Sequence, residues 1–215
     1  IFSPFVLFNP NKMRKEHILK QIVLQEYGEK KYPRLTKNQF LLALDFSNEV
    51  ERIYKELGGT LDDFPINFGS WDISTPEFII ELDEENHFNR YRQQTLNSDI
   101  YQKIKGFPLN EYQQYCIKYE SRCITHGGYW KNNSSENQFI KSDDNGILNG
   151  SGSSRWKQRA FYDLLRDVTG LIKGIPVIRL SIYQTFKGKS VQDIIRTKDE
   201  VLILDLVKST IDKWK

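Results

Sequence analysis

Asp72, Glu81 and Asp83 are the residues of this chain best placed to do chemistry, because two neighbouring strands would aim their carboxylates at one point. In the run from Trp71 to Asp83, alternation of faces puts Glu77, Ile79, Glu81 and Asp83 on one side and Phe78, Ile80 and Leu82 on the other. The second side is wholly apolar. Acids at the inner end of such a strand carry a large desolvation cost unless a cation or a wet cleft accepts them. A turn at Ser74, Thr75 and Pro76 folds a short preceding strand back, and adjacent strands lie about 4.8 Å apart, so the Asp72 carboxylate approaches Glu81. One or two carboxylates with waters completing the shell are what Mg2+ takes, and Mn2+ accepts the same oxygen donors.

The elements that must position these acids follow from periodicity and turn chemistry. Apolar residues at Ile18, Ile22 and Val23 predict an amphipathic helix from Lys12 to about Tyr27, ended by Gly28. A second helix is expected from a Thr36 cap to Leu57, with Phe40, Leu41, Leu44, Val50, Ile53, Tyr54 and Leu57 on its apolar side. Three short strands are expected at Ile66 to Phe68, Ser70 to Ser74 and Glu77 to Asp83. Asn86 to Leu96 reads as a polar, partly helical segment carrying His87, Arg90, Tyr91 and Arg92 beside the acids. Pro108 opens a helix from Leu109 to Ile124, and a polar stretch rich in Asn, Ser, Gly and Asp runs on to Ser154. A strong helix from Arg155 to Leu171 then feeds a buried strand, Ile175 to Ile182, and Lys198 to Lys215 reads as a closing helix. The last major strand can join in parallel through a right-handed crossover, which makes the fold class α/β.

Composition sets the outer limits. The chain has 215 residues, enough for one substantial domain, and no apolar run approaches the roughly 18 residues that a membrane span needs. A net charge of +3 falls short of a strongly basic nucleic-acid-binding domain, so placement of charge matters more than its sum. The acids from Glu81 to Glu85 are followed by Arg90 and Arg92, and a second basic group stands at Arg155, Lys157 and Arg159. An acidic centre flanked by cations suits an enzyme that holds Mg2+ and a polyanion together. Cys116 and Cys123 offer no disulfide framework, which points to a reducing cytoplasm. Their spacing with His126 invites a zinc site, but positions seven apart share a helix face, so packing is the expected explanation. Ile1 to Phe8, apolar and without a secretory pattern, is expected to pack on the domain.

The order of elements, with Asp72 on the second strand, Glu81-Leu82-Asp83 ending the third and His87-Phe88 following, resembles the PD-(D/E)XK nuclease superfamily. Its very-short-patch-repair-like branch is the nearest likeness. The matching residues continue through Asp163-Leu164-Leu165-Arg166-Asp167 and Gly174 to Arg179, so the likeness covers about Ile66 to Ile182. The Trp71-Asp72, Glu81 to Glu84 and Arg155 to Arg159 segments are also similar to those of bacterial proteins of unassigned activity. The resemblance implies a restriction-endonuclease-like core, a mixed sheet of about four strands flanked by helices, over residues 61–215, with an insertion at about 97–154 and a helical region at 1–60 packed against it. It further implies Mg2+-dependent hydrolysis of DNA in restriction, repair or phage defence, with a homodimer where both strands are cut and no small-molecule cofactor. Two departures stand out. Asp83 occupies the place of the superfamily's usual Lys, and Glu84 that of a Gly common in the branch.

On this reading Asp72 and Glu81 ligate the metal, Asp83 assists the metal or orients water, and His87 acts as general acid, general base or phosphate donor. Lys157 is an alternative source of the missing positive charge, and Arg90, Arg92, Arg155, Lys157 and Arg159 are expected to contact the DNA backbone. Each residue also has a plainer role. Asp72 can be a turn residue, Glu81 and Asp83 can be an exposed strand end bridged to Arg90 or Arg92, and the basic residues can be solvated helix charges. Arg179, inside an apolar strand, needs a partner, for which Asp163 or Asp167 is the candidate. The alternative function is a nuclease-fold nucleic-acid-binding or interaction module that does not cleave; a structural protein indifferent to metal is the third.

Overall fold

The computed structural model describes residues 14–125 and 130–214 and is of mixed α/β class. A three-stranded sheet has the order β1 (Ile73–Ser74), β2 (Ile79–Asp83), β3 (Val177–Ser181). β1 runs antiparallel to β2, with Ile73 opposite Ile80, and β3 runs parallel to β2, with Glu81 opposite Arg179 and Asp83 opposite Ser181. The parallel union expected for the last strand is present.

One face of the sheet carries Ile80, Leu82, Ile178 and Leu180 and is covered by α1 (Lys15–Tyr27), α8 (Val191–Thr197) and α9 (Glu200–Ile211). Helix α1 supplies Ile18, Leu19, Ile22 and Val23, all buried, and Gly28 ends it at a φ of 73°. The other face carries Ile79, Val177 and the charged residues Glu81, Asp83 and Arg179. It is covered by α7 (Ser154–Lys173) and the segment that carries α4 (Arg90–Leu96) and α5 (Leu109–Thr125). Helix α7 buries Trp156, Phe161, Leu164, Leu165 and Val168, each worth about 2 kcal/mol in transfer free energy. It lies close to β3 because residue 170 is glycine: a Cβ there would sit 2.6 Å from Val177 Cγ2.

Several expected elements take different forms. The helix expected from Thr36 to Leu57 is two helices, α2 (Lys37–Leu42) and α3 (Leu44–Glu56), broken at Ala43, whose φ of −95° and ψ of 60° are not helical. The bend lets Phe40 meet Phe64 while Val50, Ile53 and Tyr54 stay buried further along. Thr36 caps α2 through a reciprocal capping box with Gln39. No strand forms over residues 66–68, because side chains take the local carbonyls. Arg166 bonds Phe68 O and Ser70 O, Arg34 bonds Gly69 O, and Gly69 turns the chain at a φ of 91°. The sheet therefore has three strands where four were expected. A small α6 (Asn133–Glu136) lies within the expected loop, and a hairpin of β4 (Thr185–Phe186) and β5 (Lys189–Ser190) precedes α8. Among the described residues no helix is long and apolar enough to cross a membrane. Ile1 to Phe8 and His126 lie outside the described residues; Cys116 and Cys123 are free thiols packed in the core.

Candidate active site

The acids occupy two settings, and His87 touches both: it lines the cleft beside Asp72 and Glu81 and contacts Asp83 and Asp163. Asp72, one residue before β1, and Glu81 on β2 exchange bonds across the strand pair: Asp72 N donates to Glu81 Oε1 at 3.2 Å and Leu82 N donates to Asp72 Oδ2 at 2.9 Å. These reciprocal bonds fix both carboxylates against each other, as the short spacing of paired strands predicts. Both face a cleft of about 510 Å³, whose lining includes His87 and, from α7, Arg155, Gln158, Arg159 and Arg166. Burial pushes both carboxyls above the usual carboxylate range; Leu82 N–H holds Asp72 back, while Arg166 only partly offsets the rise at Glu81.

Arg166 Nε lies 3.0 Å from Glu81 Oε2, yet its N–H is not directed at the oxygen and the nitrogen is buried without a hydrogen-bond partner. Asp72 Oδ1 receives no hydrogen bond among the described residues. Two desolvated carboxylates with free lone pairs, facing an open cleft, fit a small divalent ion that keeps several waters. Glu16 on α1 is close enough to Asp72 for its own carboxyl to be pushed up, first by burial and then by that neighbour.

Asp83 has a different environment. It is 1% exposed; Tyr112 O–H donates to Oδ2 at 2.8 Å, and Arg179 Nη1 donates to Oδ1 at 2.8 Å. Arg179 also donates to Asp163 Oδ1 at 3.2 Å, Asp163 O at 2.9 Å and Asp167 Oδ1 at 2.8 Å. Both acids named as partners for this arginine are therefore its partners. Arg92 joins the same network, giving 2.9 Å to Asp167 Oδ2 and 2.7 Å to Tyr101 O–H. The result is a buried set of three carboxylates and two guanidiniums behind the cleft. His87 stands at its edge, with Nδ1 2.8 Å from Asp163 Oδ2 and 3.1 Å from Asp83 Oδ1, leaving Nε2 for the cleft. Burial alone would raise the Asp163 carboxyl; His87, Arg179 and Arg92 overcome it and hold the group well below its usual range.

Ligand atoms of Asp83, His87 and Asp163 lie within 4.8 Å of one another, a spacing that a metal could bridge. The guanidinium of Arg179 already lies between the two carboxylates, at distances of normal charge-assisted bonds. This set is an ion-pair network with a histidine attached. Asp83 thus holds His87 and Arg179 and does not line the cleft that Asp72 and Glu81 face.

The basic residues divide as well. Arg155 and Arg159 line the cleft, are partly buried and have no carboxylate in an ion pair among the described residues. Arg155 bonds Gln158 Oε1 and Arg159 bonds Asn86 O; burial lowers the pKa of both guanidiniums. The other three residues expected to contact DNA do not line this cleft. Arg92, 1% exposed and committed to Asp167, is shielded from any backbone phosphate. Arg90 clamps Glu120 at 2.8 and 2.9 Å away from the cleft lining, and Lys157 is buried near the ring of Tyr91. Arg166, Gln158 and Asp163 are site residues to which the sequence alone assigned no chemistry. For Gln158 and Arg166 the signal was present: at helical spacing with Arg155 and Arg159, residues 158, 162 and 166 share one face of α7.

A family model matches residues 52–197, which span both acids, His87 and the whole of α7 and β3. No curated protein and no solved structure matches the chain. On the strength of a family match over more than half its length, the chain belongs to the DUF7255 family, a family of unknown function.

Proposed function

We propose that this protein is a Mg2+-dependent endonuclease that hydrolyses DNA phosphodiester bonds in the cleft between α7 and the end of β2. The observation that carries the proposal is the opposition, across one open cleft, of the desolvated pair Asp72 and Glu81 to Arg155 and Arg159, which are partly buried and, among the described residues, in no ion pair with a carboxylate. Partly buried cations in no ion pair among the described residues are suited to a ligand that brings the negative charge, and a phosphate does so. An antiparallel β1–β2 pair extended in parallel by β3, with α7 in the crossover, supports a restriction-endonuclease-like core.

Asp72 and Glu81 would hold the Mg2+. The ion, when bound, lowers the pKa of a water and neutralises charge growing on the phosphate. Arg155 and Arg159, with Gln158 between them, orient the phosphodiester along α7. His87 is placed by Asp163 and Asp83 so that Nε2 can exchange a proton with the attacking water or the leaving oxygen. Arg166 balances Glu81 and is available to a phosphate oxygen. Asp83, in this assignment, is a positioning residue.

One observation favours the alternative of a non-cleaving DNA-binding module: Asp83, at the superfamily's Lys position, is sequestered by Arg179 and Tyr112. The deciding assay uses supercoiled and linear DNA with Mg2+ or Mn2+ and the variants Asp72→Ala and Glu81→Ala. Cleavage by the wild type that falls at least 100-fold in both variants supports the nuclease. Equal DNA binding by all three without cleavage supports the module.

A further inference from the structure

We propose that a second groove, on the far side of Gly69 from the cleft, binds the DNA backbone beyond the bond to be cut, so that the enzyme takes an internal phosphodiester of a long strand. This rests on the nuclease reading and names its substrate more closely. The groove has a volume of about 290 Å³ and adjoins the acid-bearing cleft at Gly69, which lines both. Asp72 lies at their junction, since its carbonyl receives Lys20 Nζ at 3.1 Å and its side chain faces the cleft.

Lys20, Lys31 and Arg34 line the groove against one acid, Glu29. None of the three basic residues has a carboxylate in an ion pair among the described residues. Arg34 is held by Gly69 O at 2.8 Å and by Asn67, and Lys31 is exposed. Tyr32 adds an aromatic surface fixed by its hydroxyl, which donates to Pro76 O at 2.8 Å. Cations interleaved with a held aromatic ring are what a nucleic-acid backbone and its bases meet favourably.

Length supports two-sided binding. Along α7 the stripe from Arg155 to Arg166 rises about 16 Å at 1.5 Å per residue. That covers between four and five nucleotides at about 3.4 Å per step. Phosphates beyond that stripe, past Asp72 and Glu81, would fall at Lys20 and Lys31.

The test measures duplex DNA binding by fluorescence anisotropy with Ca2+ in place of Mg2+, across a salt series, for probes of 6 and 24 base pairs. The proteins are the full chain, Lys31→Ala, Lys31→Glu and Arg155→Ala. Lys31 makes no side-chain hydrogen bond or ion pair among the described residues and is exposed, so its variants should fold as the wild type does, and thermal melts check this. The expected result is a fall of about tenfold in affinity of Lys31→Glu for the long probe and little change for the short one. The salt slope for the long probe should shrink by about 0.9 in Lys31→Ala, one phosphate contact on B-DNA. Wild-type affinity for the long probe in both Lys31 variants, with loss in Arg155→Ala, overturns the second groove and leaves the nuclease reading standing. Absence of binding by the wild type overturns both.

Discussion

Replacing Arg179 by Met tests the buried network directly. The side chain is 1% exposed and donates four bonds: to Asp83 at 2.8 Å, to Asp163 Oδ1 at 3.2 Å, to Asp163 O at 2.9 Å and to Asp167 at 2.8 Å. Met keeps much of the apolar volume and removes the charge. Of the remaining cationic groups, Arg92 reaches Asp167 alone, His87 touches Asp83 and Asp163 from the edge, and Arg166 stands 3.8 Å from Asp163, so Asp83 is left with no guanidinium. Removing one member of a buried pair costs about 3–5 kcal/mol, and with three acids affected the upper end applies, about 5 kcal/mol. At about 2–4 °C per kcal/mol for a chain of this size, Tm falls by roughly 10–20 °C. The sign with pH is determined. In the wild type the Asp163 carboxyl is held below its unfolded value, so its contribution is present at neutral pH and lost only as pH falls through that lowered value. In the variant the buried acids lose their cation and their folded values rise, so the deficit is full at neutral pH and shrinks as pH falls through those raised values. Calorimetric melts of both proteins at pH 7.5 and pH 5 read this out. A drop of less than about 3 °C at pH 7.5, or an equal drop at both pH values, refutes the reasoning.

Three further outcomes are expected. Burial raises the Glu81 carboxyl well above its usual range, so its ionisation destabilises the fold and wild-type stability declines as pH rises from the unfolded value through the folded one. Glu81→Gln should therefore melt higher than the wild type at pH 8 without divalent ions, converge with it in acid, and lose any Mg2+-linked rise in Tm; a lower Tm at pH 8 would contradict this. Burial pushes the thiols of Cys116 and Cys123 up to about 12, so iodoacetamide at pH 8 should leave the native chain unlabelled and add two groups after denaturation, as mass spectrometry can count. Gly152 sits at a φ of 64° with space for a Cβ already taken by Tyr91 O–H at 1.7 Å, so Gly152→Ala should cost at least about 2 kcal/mol in denaturant melts.

The sequence disclosed the parts of this molecule that depend on local pattern. Helices α1, α5 and α7 and strands β2 and β3 follow from apolar spacing, and the Thr36 cap from its own chemistry. Arg179 was legible because an arginine in an apolar strand must find acids, and Asp163 and Asp167 were the acids on the preceding helix. What escaped depended on tertiary partners. Residues 66–68 have strand-like composition, yet Arg166 and Arg34 claim neighbouring carbonyls from a distance in sequence. The split at Ala43 follows from what Phe40 packs against, and the hairpin turn places Lys187 at a φ of 48°, a conformation that a lysine does not advertise. Asp83 and Glu81 share a strand face and look alike on paper. Only the arrival of Arg179 and Tyr112 shows that one is sealed and the other is open.

That division between Glu81 and Asp83 also accounts for α7. Its Asp163 and Asp167, one turn apart, point inward to Arg179, while Arg155, Arg159 and Arg166 line the cleft. A single helix therefore carries anions toward the sheet and cations toward solvent. His87 stands between the two faces, its Nδ1 bound by Asp163 and its ring lining the cleft. Apolar residues of equal volume would often stabilise such a core as well as ion pairs do, so packing alone does not account for three buried acids and two arginines. A charged scaffold does what an apolar one does not: it fixes the orientation and tautomer of one imidazole, because a hydrogen bond to Nδ1 determines which nitrogen is left to act. The buried network is thus best understood through the histidine it holds. On the proposed nuclease reading, substitutions in it should disturb proton transfer in the cleft without touching the groups assigned to the phosphate.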